Sequence, residues 1–245
     1  CLLLNKLGKN KIVKSVVAMF AIGGIIVVSY CVYSFVRYGN GVSVPQYLAP
    51  ARVAWALKTL DQRQKSVNKL KDVCSNVESF CDLRNAPTII VVIGESFSVY
   101  HCSLYGYNKE TFPLLGKKEK DGNLSVMQDV VCVADATHRN MKAIFSLGED
   151  DVDFDTKPLF PAFFKNAGYK TLMYDNQYFL GQGVTFLTDG ELSSILFDER
   201  NSHGYKYDGD MLEDVLKCEY PALYVFHLWG QHYTYANRYP EAFSR

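Results

Sequence analysis

The sequence predicts an α/β fold: an N-terminal transmembrane helix, then a mostly parallel sheet flanked by helices. Three observations predict it. Val16 to Val36 is a run of 21 residues without a charge. Ile89 to Ile93, IIVVI, is an uninterrupted β-branched run set off by Asn85-Ala86-Pro87. Such a run reads as a strand buried on both faces in the middle of a parallel sheet. Downstream of it, helical and strand-like segments alternate, and polar clusters fall just past the strand ends, the order of a sheet covered on both sides.

The bounds agree. A chain of 245 residues has room for one or two domains and a core. With 48% hydrophobic and 21% charged residues, wholesale disorder is excluded. The 26 basic and 26 acidic side chains cancel, which argues against a nucleic-acid partner. The seven cysteines contain no CxxC pair, so no zinc-finger pattern is present. Cys74 and Cys81 are spaced to close a small loop in an oxidising compartment, and Cys102 with Cys132 is a second candidate pair. Cys31 lies in the apolar run and reads as a free thiol.

In chain order, residues 1–14 form a cytoplasmic loop carrying Lys6, Lys9, Lys11 and Lys14 and no acid. Residues 15–38 are the transmembrane helix; its 21 uncharged residues would rise about 30 Å, a bilayer core. Tyr30, Tyr33 and Tyr38 gather toward one end, as in an interfacial belt, and only Arg37 follows closely, so the rest of the chain lies outside. The opening Cys1-Leu2-Leu3-Leu4 reads as the end of an earlier apolar segment of a longer, polytopic protein. Residues 39–86 are an external linker and a connecting helix, Gln46 to Leu70. With six basic and two acidic residues between Arg52 and Asp72, that helix either lies along an anionic membrane surface or is a solvated connector.

Residues 87–245 form the α/β domain. After the Ile89 strand, Thr111-Phe112-Pro113 leads into a short helix. Leu124 to Val133 is a second strand and Thr137 to Leu147 a helix. The acidic stretch Glu149 to Asp155 is a solvated loop. Pro158 to Asn166 is a helix closed by Gly168. Tyr169 to Tyr174 is a third strand, Asp208 to Lys217 a helix, and Ala222 to Leu228 a fourth strand.

Ligands gather beyond the carboxyl ends of strands in such sheets, and the candidate residues sit there. Glu95 follows the Ile89 strand; its hard oxygens suit a zinc-like divalent ion, and the plain alternative is a solvated carboxylate. Thr137 opens a helix, where unpaired N–H groups favour phosphate. Beside a metal its hydroxyl becomes a nucleophile; otherwise it is an ordinary cap. Ser96 competes as a nucleophile, but Gly94-Glu95-Ser96-Phe97-Ser98 lacks the second glycine of a nucleophile elbow. Asp175-Asn176-Gln177 follows the third strand as pocket groups or as a turn. His232 lies past the last strand, placed to meet a metal or a phosphate, whereas His227 is inside the strand as a core or supporting residue. His101 and His203 sit in polar loops without a clear partner.

Together these pieces are more specific than any one. Ile93-Gly94-Glu95-Ser96, Ser103-Leu104-Tyr105-Gly106-Tyr107 and Glu110-Thr111-Phe112-Pro113 resemble the phosphoethanolamine transferases of Gram-negative bacteria, inner-membrane members of the alkaline phosphatase/sulfatase superfamily. The likeness continues through Gly168-Tyr169-Lys170-Thr171, Asp175-Asn176-Gln177, His227-Leu228-Trp229-Gly230-Gln231-His232 and Arg238-Tyr239-Pro240. It spans roughly residues 87 to 245. Ser96 and the Leu-Tyr-Gly-Tyr that follows look more like the branch acting on lipopolysaccharide core sugar than the lipid A branch.

The resemblance implies an alkaline phosphatase/sulfatase-like fold, incomplete at the C-terminus, in the periplasm of a bacterial inner-membrane enzyme. It implies Zn²⁺, one ion or two, with Glu95 and Thr137 as metal ligands. Thr137 would also be the nucleophile that takes phosphoethanolamine from phosphatidylethanolamine. Lipopolysaccharide would be the acceptor, and His232, Asn176 and Gln177 would bind substrate. The family's adjacent Asp-His ligand pair is absent from this sequence, so the resemblance implies weak zinc binding and no activity for this stretch alone. The lysine after the Asp-Asn pocket has no counterpart at Tyr178 to Gln182, and the sulfatase Cys-x-Pro-x-Arg nucleophile pattern is missing around Thr137. A phosphoglycerol transferase or phosphodiesterase on the same scaffold, and an inactive membrane-anchored binding protein, are the alternatives.

Overall fold

A computed structural model describes residues 11–38, 49–146, 151–177, 190–201, 204–215, 218 and 221–243. His203, Tyr178 to Gln182, the start of the acidic stretch and the Cys1–Leu4 segment lie outside the described residues. The chain divides into two units, Cys1–Lys65 and Ser66–Arg245.

In the first unit, helix α1 (Lys11–Tyr38) covers the predicted apolar run. Its side chains are described over residues 14–30 and at Tyr33, and all are exposed. Among the described residues no helix is long and apolar enough to cross a membrane. Residues 14–30 alone rise about 26 Å, short of a hydrocarbon core, so the expected span is not carried by the described structure. Helix α2 (Ala49–Ser75) begins in this unit and runs five residues beyond the predicted Leu70.

In the second unit, four strands among the described residues form one parallel sheet in the order β1-β4-β2-β3: β1 Ile89–Ile93, β2 Lys170–Asp175, β3 Glu199–Asn201 and β4 Ala222–His227. Helices α3 (Pro113–Lys120), α4 (Thr137–Ser146), α5 (Phe160–Asn166) and α6 (Gly190–Leu196) lie between them in sequence. One face is covered by Leu70 and Cys74 at the end of α2, Met141 and Phe145 of α4, Phe160 of α5, and Leu192 and Leu196 of α6. The other face carries a smaller cluster in which Met211 packs on Leu172, Tyr174, Tyr224 and Phe226. Each buried Leu or Phe contributes roughly 1.5–3 kcal/mol, and this two-sided burial holds β2 and β4 at the centre.

Four expectations are corrected here. β1 is an edge strand, not a central one: Ile90 and Val92 are 61% and 58% exposed, and only the Ile89, Val91 and Ile93 side meets the core. Leu124 to Val133 forms no strand; among the described residues no neighbour pairs with its backbone, and Val130, Val131 and Val133 lie exposed. The helix expected from Asp208 to Lys217 is a short 3₁₀ segment, Asp208–Glu213, which breaks at Asp214. The described cysteines Cys74, Cys81, Cys102, Cys132 and Cys218 are all free. Cys74 is buried in the core, where its sulfur accepts the Leu159 N–H at 3.3 Å, rather than facing Cys81.

The predicted ending of α5 is present. Gly168 adopts φ +93°, and a Cβ there would meet Leu83 at 2.8 Å.

Candidate active site

Strand register brings the site together. Ile93 pairs with His227, and His227 pairs with Asp175, so the carboxyl ends of β1, β4 and β2 lie in one row. The chain leaves that row at Glu95, at Leu228 to Gly230, and at Asn176 and Gln177. The N-terminus of α4 comes to the same rim. Thr137 Oγ1 donates to Glu95 Oε2 at 2.9 Å, across 42 positions of sequence.

Glu95 is partly buried and receives three side-chain hydrogen bonds. Besides Thr137, Gln177 Nε2 donates to Oε2 at 3.1 Å and Ser96 Oγ donates to Oε1 at 3.0 Å. Burial pushes the carboxyl's pKa upward. The bonds from Gln177, Thr137 and Ser96, with the charge of His227, outweigh that and hold it below the ordinary glutamate value. Ser96 has φ +53°, a costly region for a non-glycine residue that recurs at functional turns. Its hydroxyl donates to Glu95, and among the described residues no histidine bonds it.

The chain around Glu95 is closely fitted. Gln231 N donates to Glu95 O at 3.0 Å. Gly230 has φ +55°, and a Cβ there would lie 2.7 Å from Glu95 O and 2.8 Å from Glu95 N. Only glycine combines that φ with that approach.

Thr137 is the first residue of α4, and Ala136 precedes it as the cap, accepting from Arg139 N and Asn140 N. The hydroxyl therefore points at Glu95 rather than capping its own helix. The Asn140 side chain brackets Ala134, accepting from its N–H at 3.1 Å and donating to its carbonyl at 2.8 Å. That bracket fixes the approach to Thr137.

Gln177 also donates to Leu228 O at 2.8 Å, so one amide links the β2 and β4 exits to Glu95. Asn176 is buried; its amide donates to Asp208 Oδ1 at 2.8 Å and accepts from Tyr205 N at 2.6 Å. It faces inward, toward support. His232 is partly buried, its ring lies 4.4 Å from that of Tyr233, and it makes no hydrogen bond to Glu95, Thr137 or Gln177. His227 is 2% exposed, as expected of a core residue, and its Nδ1 lies 3.0 Å from Asp175 Oδ1. Arg200 bonds Asp175 Oδ2 at 3.1 Å. Burial raises the Asp175 pKa, but the bond and charge of His227, the Gln177 amide and Arg200 bring it below its ordinary value. His101 packs its ring against Tyr107 and accepts the Thr111 hydroxyl at its carbonyl. That contact belongs to a self-bonded loop in which Ser103 N donates to Thr111 Oγ1.

Sequence reasoning missed Asn140, Asp208 and Gly230. Gly230 had a signal, a glycine just past a strand end between Trp229 and Gln231; the other two had none.

The oxygens of Glu95 and Thr137 fit two positions around one small cation. Among the described residues no group of three or more His, Cys, Asp and Glu could hold a metal ion. A zinc site takes about four ligands, so these two residues fit as part of one.

Phosphoethanolamine transferase EptC of Escherichia coli O18:K1:H7 is 34% identical over 165 residues, 63% of this chain and 29% of that protein. Phosphoethanolamine transferase CptA of Salmonella typhimurium is 33% identical over 192 residues, 72% of this chain and 33% of that protein. The C-terminal periplasmic domain of Escherichia coli EptC superposes with TM-score 0.56 at 31% identity, covering 68% of this chain and 50% of that one. The same domain has been solved in complex with zinc, and that form superposes with TM-score 0.55 at 32% identity, covering 64% and 48%. The chain thus spans about a third of these curated relatives and about half of the solved domain. The sulfatase family profile matches residues 87–245. The chain belongs to the sulfatase family, with homology to the EptC and CptA phosphoethanolamine transferases.

Proposed function

We propose that this site transfers phosphoethanolamine from phosphatidylethanolamine to lipopolysaccharide, on core sugar or lipid A, through a phospho-threonine at Thr137. One observation carries the reading: the Thr137 hydroxyl, at the start of a helix, points at a carboxylate on the rim of a parallel sheet. Homology to the phosphoethanolamine transferases EptC and CptA supports phosphoethanolamine as the group transferred.

The residues divide the work. Thr137 Oγ attacks the donor phosphorus, the bond to the diacylglycerol oxygen breaks, and diacylglycerol leaves carrying a proton. An acceptor hydroxyl or phosphate of lipopolysaccharide then attacks the same phosphorus and restores Thr137. The first N–H groups of α4 lack intrahelical acceptors, and they favour the phosphate oxygens. Glu95, held below the ordinary glutamate value, is a weak base. It orients the threonine hydroxyl and does not strip its proton unaided. Zinc held by Glu95 and Thr137, when bound, lowers the proton affinity of the hydroxyl. Gln177 keeps Glu95 turned toward Thr137.

The apolar run of α1 serves as a membrane anchor with the 87–245 domain on the periplasmic side. Its support is the 21 uncharged residues of the sequence and the exposed side chains of residues 14–30.

The test uses the full-length protein with donor lipid labelled in the ethanolamine. Denatured protein should retain label on the peptide carrying Thr137. Thr137→Ala should lose the label and reduce transfer by up to about 10⁶-fold. Label on Ser96, or rapid transfer by Thr137→Ala, would overturn the reading.

A further inference from the structure

We infer that Asp208 is a positioning residue that sets the Glu95 carboxylate by clamping the exits of β2 and β4 against the exit of β1. Asp208 opens a 3₁₀ segment outside the sheet. Its Oδ1 accepts from Asn176 Nδ2 at 2.8 Å and from Trp229 N at 2.8 Å; its Oδ2 accepts from Gly230 N at 2.9 Å. The first bond holds the exit of β2 and the other two hold the exit of β4.

Both exits bear on Glu95. Gly230 is packed onto the Glu95 backbone, where a Cβ would lie 2.7 Å from its carbonyl oxygen. The next amide, Gln231 N, donates to that same oxygen at 3.0 Å. On the other side, Asn176 is followed by Gln177, whose amide bonds Glu95 Oε2 and Leu228 O. One carboxylate therefore fixes both the main chain and the side-chain orientation of Glu95, while no bond joins Asp208 to Glu95 or Thr137. Met211, buried against the sheet, seats the clamp, while Asp210 Oδ2 accepts from Tyr207 N at 3.0 Å within its own segment, a bond that an asparagine oxygen can also accept.

The charge and the acceptor-only character matter. A carboxylate accepts all three donors, and bonds from N–H groups to a charged oxygen are stronger than neutral ones. An asparagine of the same shape has one acceptor oxygen. Whichever way it is turned, an NH₂ faces at least one of the three donors.

The inference rests on the proposed site, so the experiment keeps the two apart. In the full-length protein, Asp208→Asn is compared with Asp210→Asn, which removes the same charge from the same segment but touches no strand exit. Three readouts are taken: hydrogen exchange of the peptide holding Trp229 to Gln231, zinc affinity by chelator competition, and kcat and KM for transfer. Asp208→Asn should accelerate exchange in that peptide about tenfold or more and weaken zinc about 10- to 100-fold, as loss of a supporting contact does. It should lower kcat about 10- to 100-fold with KM within about threefold, as misplacement of a reacting group does. Asp210→Asn should stay within about threefold of the unaltered protein throughout. Should Asp208→Asn fail to fold, Asp208→Glu keeps the charge and shifts the oxygens by one methylene; it should lose kcat likewise. Wild-type kcat and zinc affinity in Asp208→Asn or Asp208→Glu, or equal losses in Asp210→Asn, would overturn the inference. Failure of the transfer reading would show instead as no phospho-threonine in the unaltered protein. The exchange and zinc comparisons would still decide the role of Asp208.

Discussion

Strands β1 and β4 are both short apolar runs, yet they sit in different surroundings. β4 has a strand on each side and a packed cluster on each face, and all six of its residues are buried. Among the described residues β1 pairs with β4 alone, and its alternate residues face outward. The site joins these two environments, with Glu95 after the edge strand and Gly230 and Gln231 after the central one. What steadies Glu95 is thus borrowed from β4 and β2. The other half of the site is held more lightly. Thr137 follows an exposed segment whose main described tie is the Asn140 bracket on Ala134.

The largest test of this contrast is in stability. Leu223→Ala on β4, where the side chain is fully buried, should cost about 2–5 kcal/mol. Val92→Ala on the outer face of β1 should cost less than about 1 kcal/mol. Urea unfolding of the two variants reads the difference. Equal losses would mean that the outer face of β1 is covered in solution and that the two strands are alike.

A smaller effect separates site geometry from stability. Gly230→Ala adds a Cβ that meets Glu95 backbone atoms at 2.7 and 2.8 Å. It should cut transfer about 10- to 100-fold while moving the urea midpoint less than Leu223→Ala does. Unchanged transfer would show that the approach of the β4 exit to Glu95 is immaterial.

The smallest effect concerns acid. The folded pKa of Asp175 is depressed below its ordinary value of 3.8. Its contribution to stability is therefore complete above the ordinary aspartate range and is lost as pH falls through the depressed value. Asp175→Asn should remove a slope of at most about 1.4 kcal/mol per pH unit from stability measured below about pH 4. An unchanged acid slope in the variant would show that the buried Asp175–His227–Arg200 group does not carry it.

Much of this was legible in the chain. IIVVI, YKTLMY and ALYVFHL announce strands because β-branched and aromatic runs of that length have few other uses, and polar residues fall within three positions past each. Leu124 to Val133 shows the limit. Its composition is acceptable for a strand, but a strand needs a neighbour, and no partner backbone is offered to it. The cysteines show the same limit, since separation along the chain does not say which way a sulfur points. In the sequence Asn176 and Gln177 read alike, as pocket groups or as a turn, and the fold separates them, joining one to Asp208 and the other to Glu95.

By itself the sequence determined three strands, β1, β2 and β4, the polar residues just past their ends, and the family to which residues 87–245 belong. These follow from local composition and short-range order. Only the tertiary structure decided that β1 lies at the edge, that Glu95 and Thr137 meet at 2.9 Å across 42 positions, and that Asp208 and Gly230 hold them there. Those facts depend on which strands are neighbours and in what register. Such pairings arise between distant parts of the chain, where burial and hydrogen bonding of the whole sheet choose among arrangements that local sequence leaves equal.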